Sequence, residues 1–142
     1  MRTRIFVLTG FILALSVAAA YATEPCDGLP YGEARDCVKA ELQKADAQLN
    51  KLYKELQAQI RVAYKDDKII AADSVKQMLV QAQRKWIEFR DGECGFQSEQ
   101  AQGGTGTLEP FVHSKCLLKM TRERVEAFQG YIADLKKLQG TK

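Results

Sequence analysis

Three stretches of this chain repeat apolar residues at intervals of three and four, and nowhere does apolar alternate with polar over the length of a strand. That interval is the period of an α-helix. A helix with one apolar stripe is stable only when the stripe is covered, so the three stretches must cover one another. In the first, Val38, Leu42, Ala45, Leu49, Leu52, Leu56, Ile60 and Ala63 make the stripe, and Tyr53 widens it. Pro30 is placed in the opening turn, where its missing N–H costs nothing. The helix is expected to run to about Tyr64, with the charged run Lys65-Asp66-Asp67-Lys68 as the turn.

The second helix is expected to begin between Ile69 and Ser74. Ser74-Val75-Lys76-Gln77 fits a capping box and puts the firm start at Ser74. Val75, Leu79, Ala82, Trp86 and Phe89 share a face with Met78 beside them, and the pattern stops at Gly92 to Cys94. Gly95 to Thr107 has little apolar content beyond Phe96 and contains Gly103-Gly104-Thr105-Gly106, so it reads as a long loop. Loops of that length in small domains usually serve a function or are disordered. Thr107 is the expected N-cap of a third helix with Pro110 in its first turn. Leu118, Thr121, Val125, Phe128, Ile132 and Leu135 form its stripe, Tyr131 lies alongside, and fraying is expected after Leu138. The fold class that follows is all-α: an antiparallel three-helix bundle with a long, disulfide-clamped loop between helices 2 and 3.

Residues 1–22 read as a signal peptide. Arg2 and Arg4 precede the uncharged run Ile5 to Ala18, and Ala20-Tyr21-Ala22 is a small-x-small cleavage signal, with cleavage expected after Ala22. The run is short of the ~20 residues of a membrane span. Residues 23–142 are then a single exported domain, periplasmic or secreted, with no stable membrane insertion. No run of small residues precedes Cys26, so no lipid attachment is expected there. In an oxidising compartment Cys26, Cys37, Cys94 and Cys116 favour two disulfides. Three connectivities are open. The pairing Cys26–Cys37 with Cys94–Cys116 closes the shortest loops and is preferred. No Cys-x-x-Cys pair occurs and His113 is the sole histidine, so no metal site is expected. Gly103-Gly104-Thr105-Gly106 lacks the lysine of a phosphate loop, and no cofactor is expected.

The formal charge of +3 includes Arg2 and Arg4, and without them it is +1. So balanced a chain has no electrostatic footprint for nucleic acid. Charge is uneven locally: between Arg90 and Lys115 there is no Lys or Arg, while Asp91, Glu93, Glu99 and Glu109 all fall there. An acidic end of this kind suits a cationic protein partner, although acids near helix termini also simply satisfy the helix dipole.

With Cys94 joined to Cys116, counting along both helices brings Arg90 near Met120 or Thr121 and Trp86 near Arg124. Arg124 is expected on the Trp86 ring, and Arg90 or Arg124 is expected to pair with Asp91 or Glu88. The simpler reading of Trp86, Arg90, Asp91, Thr121 and Arg124 is a network that fixes the helices in register. A recognition surface of Arg90, Asp91 and Arg124 is the sharper one. No catalytic set emerges: His113 beside Ser114, in the first turn of helix 3, has no recognisable nucleophile context, and no paired carboxyls span a cleft.

Cys37, Ala45-Asp46, Leu49-Asn50 and Tyr53, then Gln83, Trp86, Phe89-Arg90-Asp91 and Cys94, then Gly103-Gly104-Thr105, Cys116, Thr121 and Arg124 together resemble the LprI-type lysozyme inhibitor family. The resemblance spans Cys26 to about Leu135. It implies a small helical exported module that is not an enzyme, whose partner is a lysozyme or another peptidoglycan hydrolase. On that basis residues 95–111 are expected to occlude the glycan cleft. Gly103 and Gly104 would allow close backbone approach. Gln102, Thr105 and Thr107 would donate at the centre, and Asp91, Glu93 and Glu99 would face basic groups at the rim. The alternatives are an immunity protein against a cell-wall-degrading toxin and an envelope adaptor or structural module.

Overall fold

A computed structural model describes residues 26–67, 69–101 and 108–140. Three helices make up the described chain: α1 (Tyr31–Ala63), α2 (Ala72–Gln100) and α3 (Glu109–Gly140), with no strand among the described residues. Pro30 is the N-cap residue of α1, and its carbonyl accepts from the amide of Ala34 at 2.8 Å. Asp67 builds the turn that follows: its Oδ1 accepts from the amides of Ile69 and Ile70 at 2.8 and 2.9 Å. That side chain takes up donors that no helix satisfies at this point. α2 starts at Ala72, two residues before Ser74, with Ala71 as its N-cap residue and no side-chain cap, so the capping box does not form. The predicted Thr107 cap and the signal peptide lie outside the described residues.

The α2 terminus is the main correction to the sequence reading. The helix does not stop at Gly92 to Cys94 but continues through Gly95 and Phe96 to Gln100. A mid-helix glycine costs only about 0.5–1 kcal/mol relative to alanine, and local contacts offset it here. Ser98 is buried and its Oγ donates to the Gly95 carbonyl at 2.8 Å, while Gln97 Nε2 donates to Glu93 Oε1 at 2.8 Å one turn back. The linker to α3 is therefore shorter than the predicted 95–107, because α2 runs on to Gln100 before α3 begins at Glu109. Pro110 sits in the first turn of α3, and the helix runs to Gly140, past the expected fraying point.

The core is built chiefly by α1 and α3, which share the most extensive interface. Leu49, Leu56, Ile60, Val125, Phe128 and Ile132 form one buried cluster, and Leu52, Tyr53, Val75, Leu79, Trp86 and Leu135 pack against it. Phe128 is wholly buried, a contribution of roughly 1.5–3 kcal/mol for such a side chain. Cys26, Val38, Ala45 and Leu118 form a second cluster. Polar pairs track the α1–α3 seam: Glu41 with Arg122 at 2.9 Å, Glu55 with Lys136 at 3.0 Å and Gln59 with Gln139 at 3.0 Å. Both members of each pair ascend together along the chain. Between α2 and α3 the order is opposite, with Cys94 meeting Cys116, Arg90 meeting Thr121 and Gln83 meeting Arg124.

α2 is the least buried of the three. Only Gln83, Cys94 and Ser98 are buried along it, and all are polar or sulfur-bearing, whereas α1 buries seven residues and α3 six. Val75, Leu79 and Trp86 of its predicted stripe reach the core. Ala82, Met78 and Phe89 do not: Met78 is 68% and Phe89 60% exposed. The buried line of α2 is rotated toward Gln83, Arg90 and Cys94, which hydrophobicity alone could not show.

Both predicted disulfides are present, with Cα–Cα separations of 5.7 Å for Cys26–Cys37 and 5.4 Å for Cys94–Cys116. They lie toward one end, where Lys115 Nζ meets Asp27 Oδ1 at 2.9 Å and the Tyr31 and Phe111 rings meet edge to face at 5.6 Å. The opposite end carries no such staple. There Leu56, Ile60, Val75, Met78, Ala82 and Leu135 are among the residues lining an open apolar groove of about 410 Å³.

Candidate functional site

One turn below the Cys94–Cys116 bridge, Arg90 reaches all three helices. Its Nη1 donates to Thr121 Oγ1 of α3 at 3.2 Å and lies 3.5 Å from Asp46 Oδ1 of α1, and its Nη2 lies 2.8 Å from Asp91 Oδ1 of α2. Thr121 is fully buried and only 16% of the Arg90 side chain is exposed. Arginine suits this position because its planar fork offers donors in several directions at once. One turn further along α2, the guanidinium carbons of Arg90 and Arg124 lie 5.2 and 5.4 Å from the centre of the Trp86 ring. Arg124 also lies 4.7 Å from the Phe128 ring, and its Nε donates to Oε1 of the buried Gln83 at 3.0 Å. Burial pushes the Arg124 pKa down from its usual value, with Tyr131 acting in the opposite sense.

The structure thus brings together Trp86, Arg90, Asp91, Thr121 and Arg124. It adds two residues that the sequence reading did not assign to the network, Asp46 and Gln83. Asp46 follows the buried Ala45 at the edge of the α1 stripe, and a carboxylate there is what a three-helix arginine requires. Gln83 is the polar residue on the buried line of α2, recognisable only once that line's rotation is known. Further along the α1–α3 seam, Glu41 is held below the usual carboxylate range, first by its hydrogen bond from Lys44 at 2.7 Å and further by Arg122.

The acidic groups take distinct places. Asp91 is exposed and paired with Arg90, Glu93 is half-buried and accepts from Gln97, and Glu99 is exposed in the last turn of α2. Glu109 is the first residue of α3, where the helix dipole favours a carboxylate. Glu99 therefore stands on a helix and not in the loop to which it was assigned. Gln102, Gly103, Gly104, Thr105 and Thr107 lie outside the described residues. His113 is half-buried in the second turn of α3, and the neighbouring Ser114 hydroxyl donates to the Pro110 carbonyl at 2.8 Å. All four cysteines are bonded, so no thiolate is available as a nucleophile. Among the described residues no group of three His, Cys, Asp or Glu is placed to hold a metal ion, and no helix is long and apolar enough to cross a membrane.

These features define a small module, all-helical among the described residues, stapled twice near one end, with polar contacts that lock the helices in register and with Glu99 and Glu109 at the helix ends that flank residues 102–107. The chain belongs to the LprI family: the family model described as lysozyme inhibitor LprI matches residues 26–128. The matched segment contains both disulfides and the whole Arg90–Trp86–Arg124 network. The chain is also similar to an uncharacterized protein of Rhizobium meliloti (strain 1021), 36% identical over 104 residues that cover 72% of this chain and 68% of the relative. No solved structure matches it.

Proposed function

We propose that this protein is exported with cleavage after Ala22, and that residues 23–142 act as a single antiparallel three-helix domain that binds and inhibits a lysozyme. Family membership is the observation that carries this reading. The arrangement of the stapled end supports it. The helix ends that flank residues 102–107, Gln100 and Glu109, belong to the two helices that the Cys94–Cys116 bridge ties together. A loop held at both ends by pre-organised helices loses less entropy on binding than a free one. In this reading Gln102, Gly103, Gly104, Thr105 and Thr107 enter the glycan cleft. Asp91, Glu93 and Glu99 face basic groups on its rim, where charge sets encounter rate and orientation.

The test is lysis of bacterial cell walls by chicken-type lysozyme, with and without the oxidised mature protein, alongside a variant in which 102–107 is replaced by a shorter linker. Stoichiometric protection by the parent chain, lost in the shortened variant at unchanged helicity, is the expected result. Lysis that proceeds unaltered at large excess of folded protein rules out this lysozyme as the partner. Full protection by the shortened variant removes the loop from the site.

A further inference from the structure

We propose that the outward face of α2 is a self-complementary seam against which a second copy of the chain packs, the two α2 helices running in opposite directions. Met78, Ala82, Lys85, Phe89, Gly92 and Phe96 follow one another at intervals of four and three. That spacing keeps a narrow line on one side of a helix and is the spacing of two-helix seams. Within its own chain this line touches little. Met78, Phe89 and Phe96 are 68%, 60% and 59% exposed, and Ala82, Lys85 and Gly92 are exposed as well. A Cβ built on Gly92 would meet nothing within 4 Å, so its small size answers no packing demand inside the chain.

The line matches itself when reversed. With the two-fold axis crossing the seam midway between Lys85 and Phe89, Met78 lies opposite the partner's Phe96 and Ala82 opposite the partner's Gly92. Lys85 lies opposite the partner's Phe89. Large thus meets large at both ends, small meets small where the helices approach closely, and an ammonium meets an aromatic ring. Such a contact uses the same patch on both copies and closes on itself, as two-fold interfaces do. The seam is about 27 Å long at 1.5 Å per residue.

Charge agrees with this direction. The first half of α2 carries Lys76, Arg84 and Lys85 against Asp73, while the second half carries Glu88, Asp91, Glu93 and Glu99 against Arg90, whose side chain is turned inward. Antiparallel packing lays the basic half of each helix on the acidic half of the other; parallel packing would oppose like charges. The apolar groove gives the end of the seam a receptor. Met78 and Ala82 belong to its lining, so the partner's Phe96 arrives at its mouth with a volume of about 410 Å³ available.

The experiment is light scattering on the size-excluded, oxidised mature protein, parent and variants, with far-UV circular dichroism on each. The parent is expected at twice the monomer mass. Phe89→Glu and Phe96→Glu should each halve that mass with helicity unchanged. Lys85→Glu should weaken the dimer by placing an acid near the partner's Glu88, and Lys85→Glu combined with Glu88→Lys should restore it. A parent that is monomeric at concentrations far above those of the lysis assay overturns the proposal. So does a dimer that survives both phenylalanine variants. A monomeric parent whose lysozyme inhibition is lost in Phe89→Glu would assign the face to apolar contact with the inhibited enzyme and likewise overturn self-association.

Discussion

Arg124 donates through Nε to the buried Oε1 of Gln83 at 3.0 Å, joining α3 to α2 at the level of the Trp86 ring. Two consequences are separable by mutation. Arg124→Ala removes the ring contacts and leaves the Gln83 oxygen without this donor, at a cost of about 2–4 kcal/mol. Arg124→Lys keeps the charge near the rings but loses the donor geometry, and should recover less than half of that. Urea unfolding of both variants measures the difference; equal stability of the Lys variant and the parent would show that the hydrogen bond contributes nothing.

Arg90 is expected to matter more than any one of its acids. Arg90→Leu strands the fully buried Thr121 hydroxyl and unpairs two half-exposed carboxylates, and should destabilise by about 1–3 kcal/mol. Asp91 is half exposed, so Asp91→Asn should cost under about 1 kcal/mol. Thermal unfolding ranks the two, and a reversed order would mean that the three-helix contact is not what holds α2 in place.

The tip disulfide spans 22 residues and the first one 11. Restriction of the unfolded chain gives each about 3 kcal/mol, the tip bridge slightly more. Replacing Cys94 and Cys116 with Ala should therefore lower stability by about that amount. Amide exchange should quicken in the last two turns of α2 before it does in α1, because α2 has little buried apolar surface of its own there. Uniform acceleration across all three helices would contradict this order.

Glu41 supplies a pH dependence with a definite sign. Its carboxyl titrates lower in the folded chain than in the unfolded one, because Lys44 and Arg122 favour the charged form. The unfolded state therefore holds the proton more tightly, and the contribution is present above the unfolded pKa and lost as pH falls through the folded one. Glu41→Gln should be less stable than the parent at neutral pH and approach it in acid. A gap that stays constant from neutral to acid would dismiss the ion-pair account.

Much of this fold was legible because α1 and α3 obey a simple rule: their apolar stripes face each other, so Val38 through Ala63 and Leu118 through Ile132 could be read from spacing alone. α2 obeys it only in part. Its buried line is Gln83, Arg90 and Cys94, and a polar side chain buried by a specific partner leaves no trace in hydrophobicity. For the same reason Phe89 and Met78 were drawn inward and Asp46 was left out of the network. The end of α2 was misplaced because glycine reads as a stop, whereas Ser98 and Gln97 supply contacts that only a continued helix can make. The network geometry was within reach once Cys94 was set opposite Cys116, since that pairing fixes how far along each helix any two residues lie.

The α1–α3 pairs join residues about eighty apart in sequence, from Glu41–Arg122 to Gln59–Gln139. The principal interface therefore needs the chain's beginning and its last third at the same time. During synthesis, with its carboxyl end still unmade, the nascent polypeptide can form single helices but not the contact that makes them cohere. On the proposed export route that delay keeps the chain threadable until α3 has been made, and assembly with disulfide closure follows translocation.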